Sequence, residues 1–81
     1  MSRVHMTPHP DLRLEEVVVG VDHLLGWFIQ VWNTGEDDPT VDRDMVSRGE
    51  MLKIIDLYTD PHCPVNRIIR DKIALDVDPG G

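Results

Sequence analysis

Three groups of residues in this chain are of types that could do chemistry. The first is the acidic run Glu36, Asp37, Asp38, Asp42 and Asp44, within NTGEDDPTVDRD. Clustered carboxylates suit a hard cation, which wants several oxygen ligands around a tight turn, or a basic protein surface. The calcium-loop order D-x-[DN]-x-[DN]-G with a distal Glu is absent, and Pro39 and Val41 interrupt the alternation. The plainer reading is a solvated acidic loop. The functional alternative is an electrostatic surface that imitates a phosphate backbone or docks on Lys/Arg clusters.

The second group is Asp22-His23. A carboxylate beside an imidazole can serve acid–base catalysis inside a pocket. Neighbours on an extended strand point opposite ways, however, and a local turn hydrogen bond from Asp22 to the backbone is the simpler expectation. The third is His62-Cys63, held between Pro61 and Pro64. A Cys–His nucleophile needs thiolate and imidazole in contact, with an oxyanion hole nearby, which adjacent loop residues do not provide. Cys63 near a helix start could be a reactive thiol; burial as a small apolar residue is the commoner fate. His5 and His9 add no metal-ligand spacing, and no GxxxxGK[ST] or GxGxxG phosphate loop occurs. No cofactor and no metal are expected, and the chain is not expected to be an enzyme.

The elements that must position these groups fit in a single domain, since the chain has 81 residues and a domain this small buries a limited share of its surface. The segment Glu15 to Asn33, EEVVVGVDHLLGWFIQVWN, holds both tryptophans and the only phenylalanine, so it nucleates whatever core exists. Its periodicity fits an amphipathic helix, with Val17, Val18, Val21, Leu24, Leu25, Phe28, Val31 and Trp32 on one broad face. Residue type argues for strands: Val17-Val18-Val19 and Trp27-Phe28-Ile29 are β-branched and aromatic, and Gly20 and Gly26 would each cost about 1 kcal/mol inside a helix. We read a hairpin, about 15–21 paired with 27–33, with DHLLG as its connection and Gly26 at positive φ.

In that hairpin Val17, Val19 and Val21 share one face, as do Trp27, Ile29 and Val31, while Val18, Phe28 and Trp32 lie on the other faces. A sheet apolar on both sides needs cover on both. Two C-terminal helices supply one cover, and the second face is a contact surface. Trp32, at a strand end beside the acidic run, is its expected anchor, because Trp is enriched at binding hot spots. The expected partner-binding residues are thus Trp32, Phe28, Glu36, Asp37, Asp38, Asp42 and Asp44.

The helices have clear signals. Ser47-Arg48-Gly49-Glu50 is a capping-box pattern. Met51, Leu52, Ile55 and Tyr58 follow at helical spacing, widened by Ile54, and the helix ends before Pro61. Pro64 suits the first turn of a second helix, VNRIIRDKIAL, with Val65, Ile68, Ile69 and Ile73 as its apolar stripe and Arg67, Arg70, Asp71 and Lys72 toward water. Thr40-Val41 could add a short third strand. Residues 1–13 carry Pro8 and Pro10 without periodicity and read as a flexible tail; Met6 offers a second start after His5, and no function is placed on the stretch before it. The expected fold is α+β: a hairpin or three-stranded antiparallel sheet packed by two C-terminal helices over 14–76, with a second tail over 77–81.

Charge narrows the partners. Eight Lys and Arg stand against fifteen Asp and Glu, a net charge of −7. That disfavours direct nucleic-acid binding and an anionic membrane surface; it is compatible with a protein partner that has a basic surface, and the plainer reading is that the charge keeps a small protein soluble. The single cysteine excludes a disulfide framework and fits a reducing, cytoplasmic setting. No run approaches the length of a membrane span.

The run Val19-Gly20-Val21-Asp22-His23-Leu24-Leu25-Gly26-Trp27-Phe28 resembles a pattern in small uncharacterised bacterial proteins, in which a Gly-aromatic-Asp-x-x-Leu stretch leads into an aromatic strand and then a helix. Val21 stands here in the aromatic position. The quoted run is ten of the chain's 81 residues; the resemblance implies the hairpin and a bacterial or mobile-element origin, and no activity. The functional expectation is a small acidic protein-binding module or inhibitor, in its sharpest form a phage-type inhibitor of a nucleic-acid-handling complex. The alternative is a structural homodimer or accessory subunit. An enzyme using Asp22, His23 or Cys63 ranks last.

Overall fold

The computed structural model describes residues 2–24 and 26–80. Met1 and Gly81, the outer ends of the two expected tails, and Leu25, read within the apolar run, lie outside them. The fold is α+β. Four strands, β1 (Val4–Met6), β2 (Leu14–Asp22), β3 (Gly26–Asn33) and β4 (Val41–Val46), form an antiparallel sheet in the order β1-β2-β3-β4, followed by α1 (Arg48–Tyr58) and α2 (Pro64–Ala74).

The hairpin forms as the residue types demand. Val17 pairs with Val31, Val19 with Ile29, Val21 with Trp27 and Asp22 with Gly26. Gly26 has φ +74, a conformation that costs glycine little. The Asp22 carboxylate accepts from the Leu24 N–H at 2.7 Å, which closes the turn. Gly20 serves a close approach: a Cβ there would collide with the Ser2 carbonyl oxygen and lie 2.6 Å from the Phe28 ring. Phe28 therefore lies over the glycine opposite it, filling space that Gly20 leaves empty.

Two expectations about the sheet need correction. Of the expected tail over 1–13, the described residues are not free. Val4, His5 and Met6 pair with Val19, Val18 and Val17, and Met6 is buried in the core. Three residues are too few to show a period, and β2 supplies the burial that the segment's own sequence does not advertise. The short third strand grows to Val41–Val46, so Asp42 and Asp44 lie on a strand and not in a loop. The segment beyond residue 76 is also held: Pro79 is buried, and the Gly80 N–H donates to Asp78 at 2.8 Å beside Ser2.

The core lies between the sheet and the helices. Met6, Val17, Val19, Ile29, Val31 and Val46 meet Met51, Ile55, Ile69 and Ile73, with Trp27 packed at the margin. In α1 the expected stripe is the buried one. Ser47 caps it, its hydroxyl accepting from the Glu50 N–H at 3.2 Å. The Glu50 carboxylate is bound to Arg43 on β4 at 3.1 Å.

Helix α2 is rotated from expectation. Ile69 and Ile73 face the core, but so does Asn66, at 2% exposure, while Val65 and Ile68 are each 57% exposed. The cause is polar. The Thr7 N–H donates to Asn66 Oδ1 at 2.8 Å, and Asn66 Nδ2 donates to the carbonyls of Thr7 at 2.7 Å and Asp60 at 3.1 Å. Burying Asn66 satisfies backbone groups where the β1–β2 loop meets the α1–α2 turn, and leaving them unpaired would cost about 1–3 kcal/mol each. Arg70, expected in water, is half-buried and makes a bidentate pair with Asp56 at 2.7 and 3.0 Å.

Candidate partner-binding surface

The acidic residues occupy one border of the molecule. Glu36, Asp37 and Asp38 lie in the β3–β4 connection and are exposed. Asp42 and Asp44 follow on β4, the outermost strand, where Asp42 to Met45 are all exposed. Arg43, the only cation on this strand, is opposite Ile29 on the helix side of the sheet, where Glu50 neutralises it. Asp42 is opposite Gln30 on the other side and meets its amide at a long 3.4 Å. Among the described residues no cation bridges Asp42, Asp44 or the three acids before them. The strip is therefore negative along its length. The Arg43–Glu50 pair follows from the third strand reaching Val46, beyond the expected Thr40-Val41.

The apolar sheet face is narrower than expected. Both described helices pack on the opposite face, yet Val18 is fully buried and Phe28 is 8% exposed. Polar side chains cover it from within the sheet. Arg3 donates to Gln30 Oε1 at 3.1 Å, a bond that reaches from the β1 side across β2 to β3, and His5 Nδ1 meets Glu16 at 3.0 Å. Phe28 is thus a core residue of this face and not an open contact. Trp27 and Trp32 lie on opposite faces, as their odd spacing implies. Trp32 is half-buried, and its indole Nε1 is enclosed without a hydrogen-bond partner, a desolvated donor of the kind that usually finds an acceptor.

The other chemistry-bearing residues do not converge. His23 is exposed beside the turn that Asp22 closes. His62 is exposed, its N–H donating to Asp60 Oδ1 at 2.8 Å. Cys63 is a free, half-buried cysteine at the start of α2, with its Sγ 3.5 Å from the Thr7 hydroxyl. That hydroxyl, with backbone help from Asn66, lowers the thiol below its usual value. Among the described residues no group of three or more His, Cys, Asp or Glu side chains is placed to hold a metal ion. A cleft of about 320 Å³ opens between the ends of the helices. Its buried polar groups are committed: the Thr59 hydroxyl donates to the Ile55 carbonyl at 2.6 Å, and the Asn66 amide is bound as above.

The most exposed large apolar residues are Leu24 in the β2–β3 turn and Met45 on β4, at 92% and 76%. Val65, Ile68 and Leu75 add an exposed apolar stripe along α2 and its end, with Leu75 at 75% exposure. Among the described residues no helix is long and apolar enough to cross a membrane. No protein family matches the chain, and neither a curated protein nor a solved structure is similar to it.

Proposed function

We propose that this chain is a protein-binding module that presents its acidic border to a partner with a basic surface. An inhibitor that occupies the basic groove of a nucleic-acid-handling protein is the sharpest form of that reading. The observation that supports it is the negative strip from Glu36 to Asp44, in which the one cation, Arg43, is bound by Glu50. Unneutralised carboxylates on a rigid border steer and orient a basic partner. An acid–base enzyme has less support, since none of Asp22, His23, His62 and Cys63 lines the cleft between the helix ends. The test is affinity capture with the natural chain and with Glu36→Lys/Asp37→Lys/Asp38→Lys at low and high salt. A partner held by the natural chain, released by salt and lost by the variant is the expected result. Equal capture by both chains would remove the acidic border from the function.

A second reading, a homodimer, has its own observation: the exposed Val65, Ile68 and Leu75 on α2. Such apolar exposure on a small domain suits self-assembly.

A further inference from the structure

We propose that the free edge of β4 adds a strand from the partner, an extended segment with Lys or Arg at alternate positions. The inference rests on the reading that the acidic border binds a basic protein, and it names the form that the partner takes. Strand β4 is the last in the order β1-β2-β3-β4, and among the described residues nothing pairs beyond it. A strand in that position presents backbone N–H and C=O groups toward solvent, which can template another strand.

Native edges are defended against such pairing, and the defences here are selective. The register of β4 against β3 shifts between Arg43 and Val46, so Asp44 and Met45 both lie in the shift, Met45 with φ 55 and 76% exposure. A bulge of this kind ends regular pairing and turns a side chain outward. The charges then decide which strand can bind the rest. A second copy of the chain is disfavoured in every register centred on the charged stretch from Asp42 to Asp44. An antiparallel β4–β4 pair centred on Asp42 sets that carboxylate opposite its own copy, and one centred on Asp44 does the same. Centring on Arg43 sets guanidinium opposite guanidinium and Asp42 opposite Asp44. Like charges directly opposite are destabilising.

A basic segment meets no such conflict. Asp42 and Asp44 are two positions apart, the side-chain repeat of a strand, so cations spaced by two in the incoming segment come opposite them. Arg43 does not oppose it, because its charge is on the helix side and bound to Glu50. Exposed Met45 offers an apolar contact at the bulged end, and Glu36 to Asp38 extend the attraction past the start of the strand. The strand backbone supplies the bonds and the carboxylates supply the selection.

The experiment titrates the isotope-labelled chain with three synthetic peptides, followed by the amide resonances. One peptide alternates Lys with Thr and Val. The second is identical except for a central proline, which removes a ladder donor. The third carries Glu in place of Lys. The expected result is perturbation of the Val41–Val46 amides by the first peptide, binding weaker by about tenfold or more with the proline peptide, and none with the Glu peptide. The variant Asp42→Lys/Asp44→Lys, altered at two exposed positions, should lose the first peptide too. Equal binding of the first and proline peptides would overturn strand addition and leave the basic partner standing, as charge alone would then hold it. Perturbation away from β4, or no binding of the first peptide, would overturn it as well. Failure of the wider reading would show separately, as equal capture by the natural and charge-reversed chains.

Discussion

Asn66 is the residue that ties the β1–β2 loop to the α1–α2 turn. It is 2% exposed and binds Thr7 on both its N–H and its C=O, and Asp60 on its C=O. Asn66→Ala removes all three bonds and leaves part-buried backbone groups of Thr7 and Asp60 unpaired, so a loss of about 3 kcal/mol is expected at about 1 kcal/mol per bond, read as a lower unfolding midpoint in denaturant. A domain of this size has a total of only about 4–12 kcal/mol. Asp78 works through charge. A hydrogen bond from Ser2, aided by the Gly80 N–H, holds its carboxyl below the usual Asp range. The folded state thus favours the ionised form, which stabilises the fold above the ordinary Asp pKa, and that gain is lost as pH falls through the lowered value. Asp78→Asn should lower the unfolding temperature near neutral pH and make no difference in strong acid. A difference that persists unchanged into acid would show that Asp78 acts by shape and not by charge.

At the scale of elements, α2 carries the clearest test. Its outward stripe of Val65 and Ile68 is exposed in the monomer, so Ile68→Glu should leave the melting temperature nearly unchanged, as surface substitutions do. If α2 is a homodimer surface, the same variant abolishes concentration-dependent mass in light scattering; a mass unchanged from that of a wild-type dimer would clear α2 of that role. The same helix shows where the sequence is legible and where it is not. The β2–β3 hairpin could be read because Val17-Val18-Val19 and Trp27-Phe28-Ile29 are poor helix residues, and α1 because Ser47 and the spacing of Met51 and Ile55 are local signals. The rotation of α2 is not local. It depends on Thr7 needing the Asn66 amide, and the two residues are 59 positions apart. Strand β1 was hidden for a related reason, since VHM gains its burial only from Val17 to Val19. Of the candidate site, the charges were legible in composition. That Asp42 and Asp44 stand on an open edge was not, because it follows from the pairing of β4 with β3.

Across the whole molecule, each strand pairs with its neighbour in sequence and the two helices pack on each other. The clasp between Thr7 and Asn66, near the contact of α2 with β1, departs from that plan. Joining positions so far apart closes a large loop, and loop closure is an entropic cost met before any bond forms. Local hairpins and helices form first in such chains, so the clasp should close after the rate-limiting step. Its removal then acts on escape from the native state and not on arrival. With about 3 kcal/mol lost, Asn66→Ala should unfold about a hundredfold faster or more, while refolding keeps nearly its original rate. Stopped-flow kinetics separates the two limbs, and a slowed refolding limb would instead place the clasp inside the folding nucleus.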